Sequence, residues 1–124
     1  MSTPLDICIV TCDIVGPIRN GGIGTAYYNM AHALARAGHR VTVLYALGEF
    51  CEHRTIEHWQ AEYARAGIQF VPLPAQPVRG HSAIRISYAV YRWLAGRTFD
   101  IVHCHEWRGI AFYTALAKRQ GLCL

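Results

Sequence analysis

Four short apolar runs recur along the chain, each followed by a stretch whose apolar positions fall at helical spacing. Ile7 to Thr11 is apolar without alternation, the pattern of a strand buried on both faces. Ile23, Tyr27, Met30 and Leu34 then share one face of a helix, and Gly38 supplies the left-handed residue that ends it. Val41 to Tyr45 predicts a second buried strand. Ile56, Trp59 and Tyr63 predict a second helix ending at Gly67, and Ile68 to Val71 a third strand. Pro72, Pro74 and Pro77 make a stiff connection to a helix capped by Ser82 and running to about Leu94. Asp100 to Cys104 is the fourth strand and Gly109 to Arg119 the fourth helix. Regular alternation of strand and helix implies α/β architecture, a parallel sheet covered by helices on both faces.

The chain also repeats itself. ARAGHRVTVL, from Ala35 to Leu44, is echoed by ARAGIQFVPL, from Ala64 to Leu73. A weaker echo, AKRQGLCL, starts at Ala117, and there the chain stops where a fifth strand would begin. The expectation is a single domain, residues 1–124, that is part of a longer protein.

Composition narrows the class. With 124 residues, 52% hydrophobic and 16% charged, one domain of roughly 14 Å radius of gyration is expected, and disorder is excluded. No apolar run approaches the roughly 20 residues of a membrane span. The opening MSTPLDICIV lacks a basic lead and a cleavage site, so the cytoplasm is the expected compartment. Five cysteines without a CxxC pair are expected as reduced, mostly buried thiols.

Between the first strand and first helix lies GGIGT, Gly21 to Thr25. Glycines there let a ligand approach the backbone, and a helix N-terminus favours an anion by about 0.3–2 kcal/mol. Arg19 adds a guanidinium suited to a phosphate. A glycine loop serving only a tight turn is the alternative; two adjacent glycines and a third at the helix start favour the anion site. Dinucleotide binding fits badly. Tyr27 stands where the G-x-G-x-x-G fingerprint needs its last glycine, and no acid ends the second strand. No GK[ST] follows, which excludes a P-loop nucleotidase.

The segment DIVHCHEW, Asp100 to Trp107, places His105 and Glu106 at the carboxyl end of the fourth strand, where parallel sheets bind ligands. His105 can donate or accept at neutral pH, Glu106 can orient it or bind a hydroxyl, and Trp107 offers a face for a sugar. His103 is expected to be a satisfied core histidine. Two histidines with no third ligand make a poor metal site, so none is assigned.

Together, CDIVGPIRNGGIGTAYYNMAHALARAGHRVTVL and FDIVHCHEWRGIAFYTALA resemble the N-terminal half of GT-B glycosyltransferases. Glycogen and starch synthases and the related retaining nucleotide-sugar transferases are the nearest likeness, over residues 5–45 and 99–120. The resemblance implies a Rossmann-like, doubly wound domain of strand order 3-2-1-4 with a truncated fifth strand, facing a C-terminal domain across a cleft. It implies a catalytic role for His105 beside the transferred sugar. Arg19, Gly21 and Gly22 would bind the donor phosphates, and Asp13, Glu106 and Trp107 the acceptor or sugar. Arg19 stands where the synthases carry a lysine. The donor would be a nucleotide sugar, with no other cofactor, and the acceptor a glycan or small molecule. The family's paired glutamates belong to the C-terminal domain, so this chain alone should be inactive. A phosphate-binding Rossmann-like module without catalysis is the alternative.

Arg65, Arg79, Arg85, Arg92 and Arg97 fall in a stretch without acids, so the net charge of +4 is local. With Tyr88, Tyr91 and Trp93 they could meet an anionic acceptor or a membrane surface; a solvated helix with its aromatics turned inward is the favoured reading. Nucleic acid is not expected, for want of a recognition module. An uncovered fourth strand predicts dimerisation through the sheet edge.

Overall fold

In the computed structural model, residues 3–77 and 80–122 are described. The elements run β1 (Asp6–Thr11), α1 (Gly22–Arg36), β2 (Arg40–Tyr45), α2 (Ile56–Ala64), β3 (Ile68–Pro72), α3 (Ser82–Leu94), β4 (Ile101–Cys104) and α4 (Phe112–Arg119). The four strands form one parallel sheet in the order β3-β2-β1-β4. In register, Ile9 lies between Val43 and His103, and Val43 beside Phe70.

Strand periodicity divides the core in two. Ile7 and Ile9, with Val41, Val43, Tyr45, Ile68 and Phe70, face the side covered by Tyr27 and Ala31 of α1 and Ile56 and Tyr63 of α2. Cys8, Val10 and Cys12, with Leu44, face the side covered by Ala89, Val90, Trp93 and Leu94 of α3. The apolar runs lack alternation because β1 and β2 are covered on both faces. This is the doubly wound, Rossmann-like arrangement.

Helix ends follow local chemistry. Gly38, at φ +95°, donates to Ala35 while His39 donates to Leu34, the paired bonds of a Schellman C-cap. Thr55 Oγ1 accepts from His58 N–H and opens α2. At α3 the expected cap is displaced by one position: His81 Nδ1 accepts from Ala83 N–H, and Ser82 is the first helical residue. The fourth helix also starts later than Gly109. Arg108 and Gly109 both have positive φ, +57° and +60°, and two successive left-handed residues cannot continue an α-helix. A short 3-10 turn, Trp107–Gly109, occupies that place.

Of the aromatic residues of α3, Trp93 is turned inward while Tyr88 and Tyr91 are half-buried. Trp93 is buried and stacks on Phe99, with the Arg97 guanidinium 4.0 Å from its ring centre. Tyr88 meets Tyr113 of α4 edge-on. Arg79 lies outside the described residues. No helix among the described residues is long and apolar enough to cross a membrane.

At the amino ends of the strands, Arg40 grips both carboxylate oxygens of Asp6. Asp6 N–H in turn donates to Asp100 Oδ2 at 2.7 Å, and Asp100 N–H to the Asp6 carbonyl at 2.8 Å. These bonds join β1, β2 and the start of β4.

Candidate functional site

Adjacent strands β1 and β4 deliver their following residues to the same end of the sheet. Thr11 Oγ1 accepts from Asp13 N–H at 3.0 Å and donates to the Asp13 carbonyl at 2.7 Å, which fixes the turn after β1. The Asp13 side chain then reaches the start of α1. Its Oδ2 accepts from Gly21 N–H at 3.1 Å and from Gly24 N–H at 2.9 Å. Gly21 is the N-cap and has no capping side chain of its own, so Asp13 performs that task from eight residues upstream. Asp13 Oδ1 is buried and has no hydrogen-bond partner among the described residues.

The glycines of the loop therefore differ in purpose. A Cβ on Gly24 would lie 2.5 Å from Asp13 Oδ1 and 2.7 Å from Asn20 Cβ, so glycine there admits the carboxylate. A Cβ on Gly22 would meet nothing within 4 Å. Gly22 also has no left-handed φ, so neither backbone conformation nor internal packing demands a glycine there. At Gly21 the N–H is engaged by Asp13 Oδ2. The first-turn amides of Gly22 and Ile23 make no hydrogen bond among the described residues.

Arg19 sits on the connecting loop, its N–H donating to Glu52 Oε2 at 3.0 Å. Its guanidinium is exposed and forms no ion pair among the described residues. Arg19, Asp13 and Trp107 line one cleft of about 310 Å³, together with Cys12, Ile23 and Arg108.

His105 lies behind this wall. It is buried, at 8% exposure, with its ring 6.4 Å from that of Trp107 and 5.7 Å from that of Tyr27. His105 Nε2 accepts from Cys12 N–H at 3.3 Å and lies 3.6 Å from Cys12 Sγ. An accepting Nε2 puts the proton of the neutral ring on Nδ1, which is buried and has no hydrogen-bond partner among the described residues. Burial lowers the His105 pKa, against the opposing pull of the Trp107 backbone and the charges of Asp13 and Glu106. The ring is therefore neutral at pH 7.

Other expected residues are placed differently. Glu106 is exposed and not part of the cleft wall; its carbonyl accepts from Gly109 N–H at 3.0 Å. Trp107 presents a half-exposed ring face, with the Arg108 guanidinium 4.4 Å from its centre. His103 is exposed, correcting the expectation of a core histidine, because β4 is the edge strand of the sheet. Its ring meets Tyr27 edge-on at 5.3 Å. No group of three or more potential metal ligands occurs among the described residues. Arg108 was not anticipated. Its position two residues after Glu106 was a signal, since it is the first cation beyond β4, but its left-handed backbone has no signature in the sequence.

Larger than this cleft is a groove of about 760 Å³ at the carboxyl ends of β2 and β3, walled by Leu47, Leu73, Pro74 and Ile86 and flanked by Glu49 and Arg85.

Comparison with known proteins agrees with the fold and adds a family. The crystal structure of the C-terminal domain of a hydrogenase from Pyrococcus furiosus is similar at a TM-score of 0.54 and 18% identity, covering 98% of this chain and 93% of that one. At that identity the likeness is one of fold. No curated protein matches the chain. The model of the glycosyl transferase 4-like domain matches residues 21–123, from the glycine loop through α4. This chain belongs to the glycosyl transferase 4-like domain family.

Proposed function

We propose that this domain forms one wall of the active-site cleft of a retaining glycosyltransferase that takes a sugar from a nucleotide-sugar donor. Family membership supports transferase chemistry at a coarse level. One observation carries the finer reading: Gly22 is a glycine that neither backbone conformation nor packing among the described residues requires, at the start of a helix whose Gly22 and Ile23 amides make no hydrogen bond among those residues, beside a cleft lined by Arg19 and Ile23. A backbone kept open at that point suits the diphosphate of a donor, whose negative charge grows as the sugar departs.

In this proposal Gly22 and Ile23 N–H groups and the Arg19 guanidinium receive the diphosphate, while Asp13 holds the loop in shape. The neutral His105 stands beside the transferred sugar as a hydrogen-bonding group. Trp107 offers its ring face to a sugar, and the exposed Glu106 beside it a carboxylate for a hydroxyl. A second domain, facing this one, supplies the remaining donor contacts, so the 124-residue chain binds weakly and turns nothing over. The broad groove beside Leu73 and Ile86 is the place for the acceptor.

Titration of the isotopically labelled chain with millimolar nucleoside-diphosphate sugar, followed by NMR, tests this. Shifts centred on the Gly22 and Ile23 amides and the His105 ring are expected. Silence at those positions, or preferential response to a nicotinamide dinucleotide, would overturn it.

A further inference from the structure

We propose that Arg108 is a second anion-binding residue of the cleft, acting with Arg19 on one phosphate-bearing group. This deepens the proposed function and rests on it. Both side chains line the same cleft of about 310 Å³, one arriving from the loop before α1 and the other from the 3-10 turn after β4. Neither guanidinium forms an ion pair among the described residues. The acids close by are already engaged: Asp13 Oδ2 accepts from two amides of α1, and Glu52 Oε2 from the Arg19 N–H. Two guanidinium-bearing residues thus line one cleft against the single carboxylate of Asp13, which is held toward the α1 amides and pairs with neither, an excess of positive charge that an oxyanion between them relieves.

Local structure adds a reason to treat Arg108 as positioned. Its backbone is left-handed, φ +57°, a conformation uncommon for a residue with a side chain beyond Cβ. Its guanidinium rests 4.4 Å from the centre of the Trp107 ring. Stacking of this kind leaves the N–H edge of the guanidinium available for hydrogen bonds. The walls contributed by Cys12, Ile23 and Leu47 are apolar, which strengthens the field of the two cations on a bound anion.

The shared ligand chemistry is a phosphate dianion or diphosphate. It comes either from the donor's diphosphate or from an acceptor that is itself a phosphomonoester.

Calorimetric titration of the 124-residue chain with pyrophosphate, a nucleoside diphosphate and a hexose monophosphate tests the proposal and separates the two sources. Binding that weakens with added salt is expected, and Arg108→Gln should reduce affinity by about tenfold or more. Selective loss for the diphosphates assigns Arg108 to the donor; selective loss for the hexose monophosphate assigns it to the acceptor. Arg108→Gly guards against misfolding, because glycine adopts the left-handed conformation readily and removes only the side chain. Unchanged affinity for all three probes in both variants would overturn the proposal. If Arg19→Gln weakens binding while the Arg108 variants do not, Arg108 is excluded and the donor reading of the glycine loop stands. If the wild-type chain binds no probe and its Gly22 amide is silent toward nucleotide sugar, both fall.

Discussion

Asp13 Oδ2 lies 2.9 Å from the Gly24 nitrogen, so a carboxylate from the turn after β1 closes the first turn of α1. The bond explains why Gly24 lacks a side chain, since a Cβ would stand 2.5 Å from the other oxygen of the same carboxylate. Asp13→Ala should therefore destabilise the domain by about 1–2 kcal/mol through loss of a cap. Gly24→Ala should cost about 1–3 kcal/mol through overpacking. Urea denaturation of both variants and the double variant checks the link. The cost of Gly24→Ala should shrink when Asp13 is already alanine, although Asn20 Cβ still crowds the position. Strict additivity would mean the two residues are not coupled.

His105 makes stability depend on pH in a defined direction. Burial lowers its folded pKa below the ordinary value of 6.5. The unfolded chain then binds a proton that the folded chain refuses, between 6.5 and the lower folded value. Stability contributed by the neutral ring is complete above 6.5 and is lost as pH falls through that window. Urea midpoints measured from pH 8 to pH 5 should fall more steeply for the wild type than for His105→Gln. His105→Ala should in addition cost about 1–3 kcal/mol at pH 8, because Cys12 N–H loses its acceptor in a buried place. Parallel pH profiles for wild type and His105→Gln would contradict this account.

Thiol chemistry should follow burial. Burial pushes the Cys8 thiol up to about 12 and those of Cys12 and Cys104 to about 11. At pH 8 such thiols are thiolate roughly hundreds-fold (Cys12, Cys104) to thousands-fold (Cys8) less often than an exposed one. Among Cys8, Cys12, Cys51 and Cys104, all free, alkylation followed by peptide mapping should label Cys51 first. Cys8 and Cys12 should react only on unfolding. Early labelling of Cys12 would point to opening of the Cys12–His105 contact in the native state.

The outer edge of β4 is unpaired among the described residues, and Ile101 and Val102 are 45% and 39% exposed on it. An open apolar edge promotes self-association by strand pairing. Light scattering should show concentration-dependent association of the wild-type chain, and Val102→Lys should move it toward monomer. A wild-type mass constant with concentration would rule the edge out as a contact.

How much of this was legible in the sequence depends on how local each cause is. Ile7 to Thr11 and Val41 to Tyr45 read as buried strands because both faces are covered, and Gly38 ended its helix by its own conformational freedom. The strand order followed from the alternation of elements and the resemblance together. The convergence of Asp13, Arg19 and Trp107 on one cleft follows from their places on the segments that leave β1 and β4 at the carboxyl end of the sheet. His103 is exposed because β4 is the edge strand, a position the expected strand order already implied; a core histidine there is inconsistent with that order. The bond from Asp13 to Gly21 and Gly24 spans eight and eleven residues of loop, a distance at which spacing carries no geometry. The late start of α4 turns on the left-handed Arg108, a conformation imposed by its surroundings and not by its residue type.

The clasp of Asp6, Arg40 and Asp100 stands at the opposite rim from the cleft. It gives the molecule a place to be held. A fluorophore or surface attachment made beside that clasp leaves the loops around Gly22, His105 and Arg108 untouched. Immobilised in that orientation, the domain would present the loops at the carboxyl ends of its strands outward to solution.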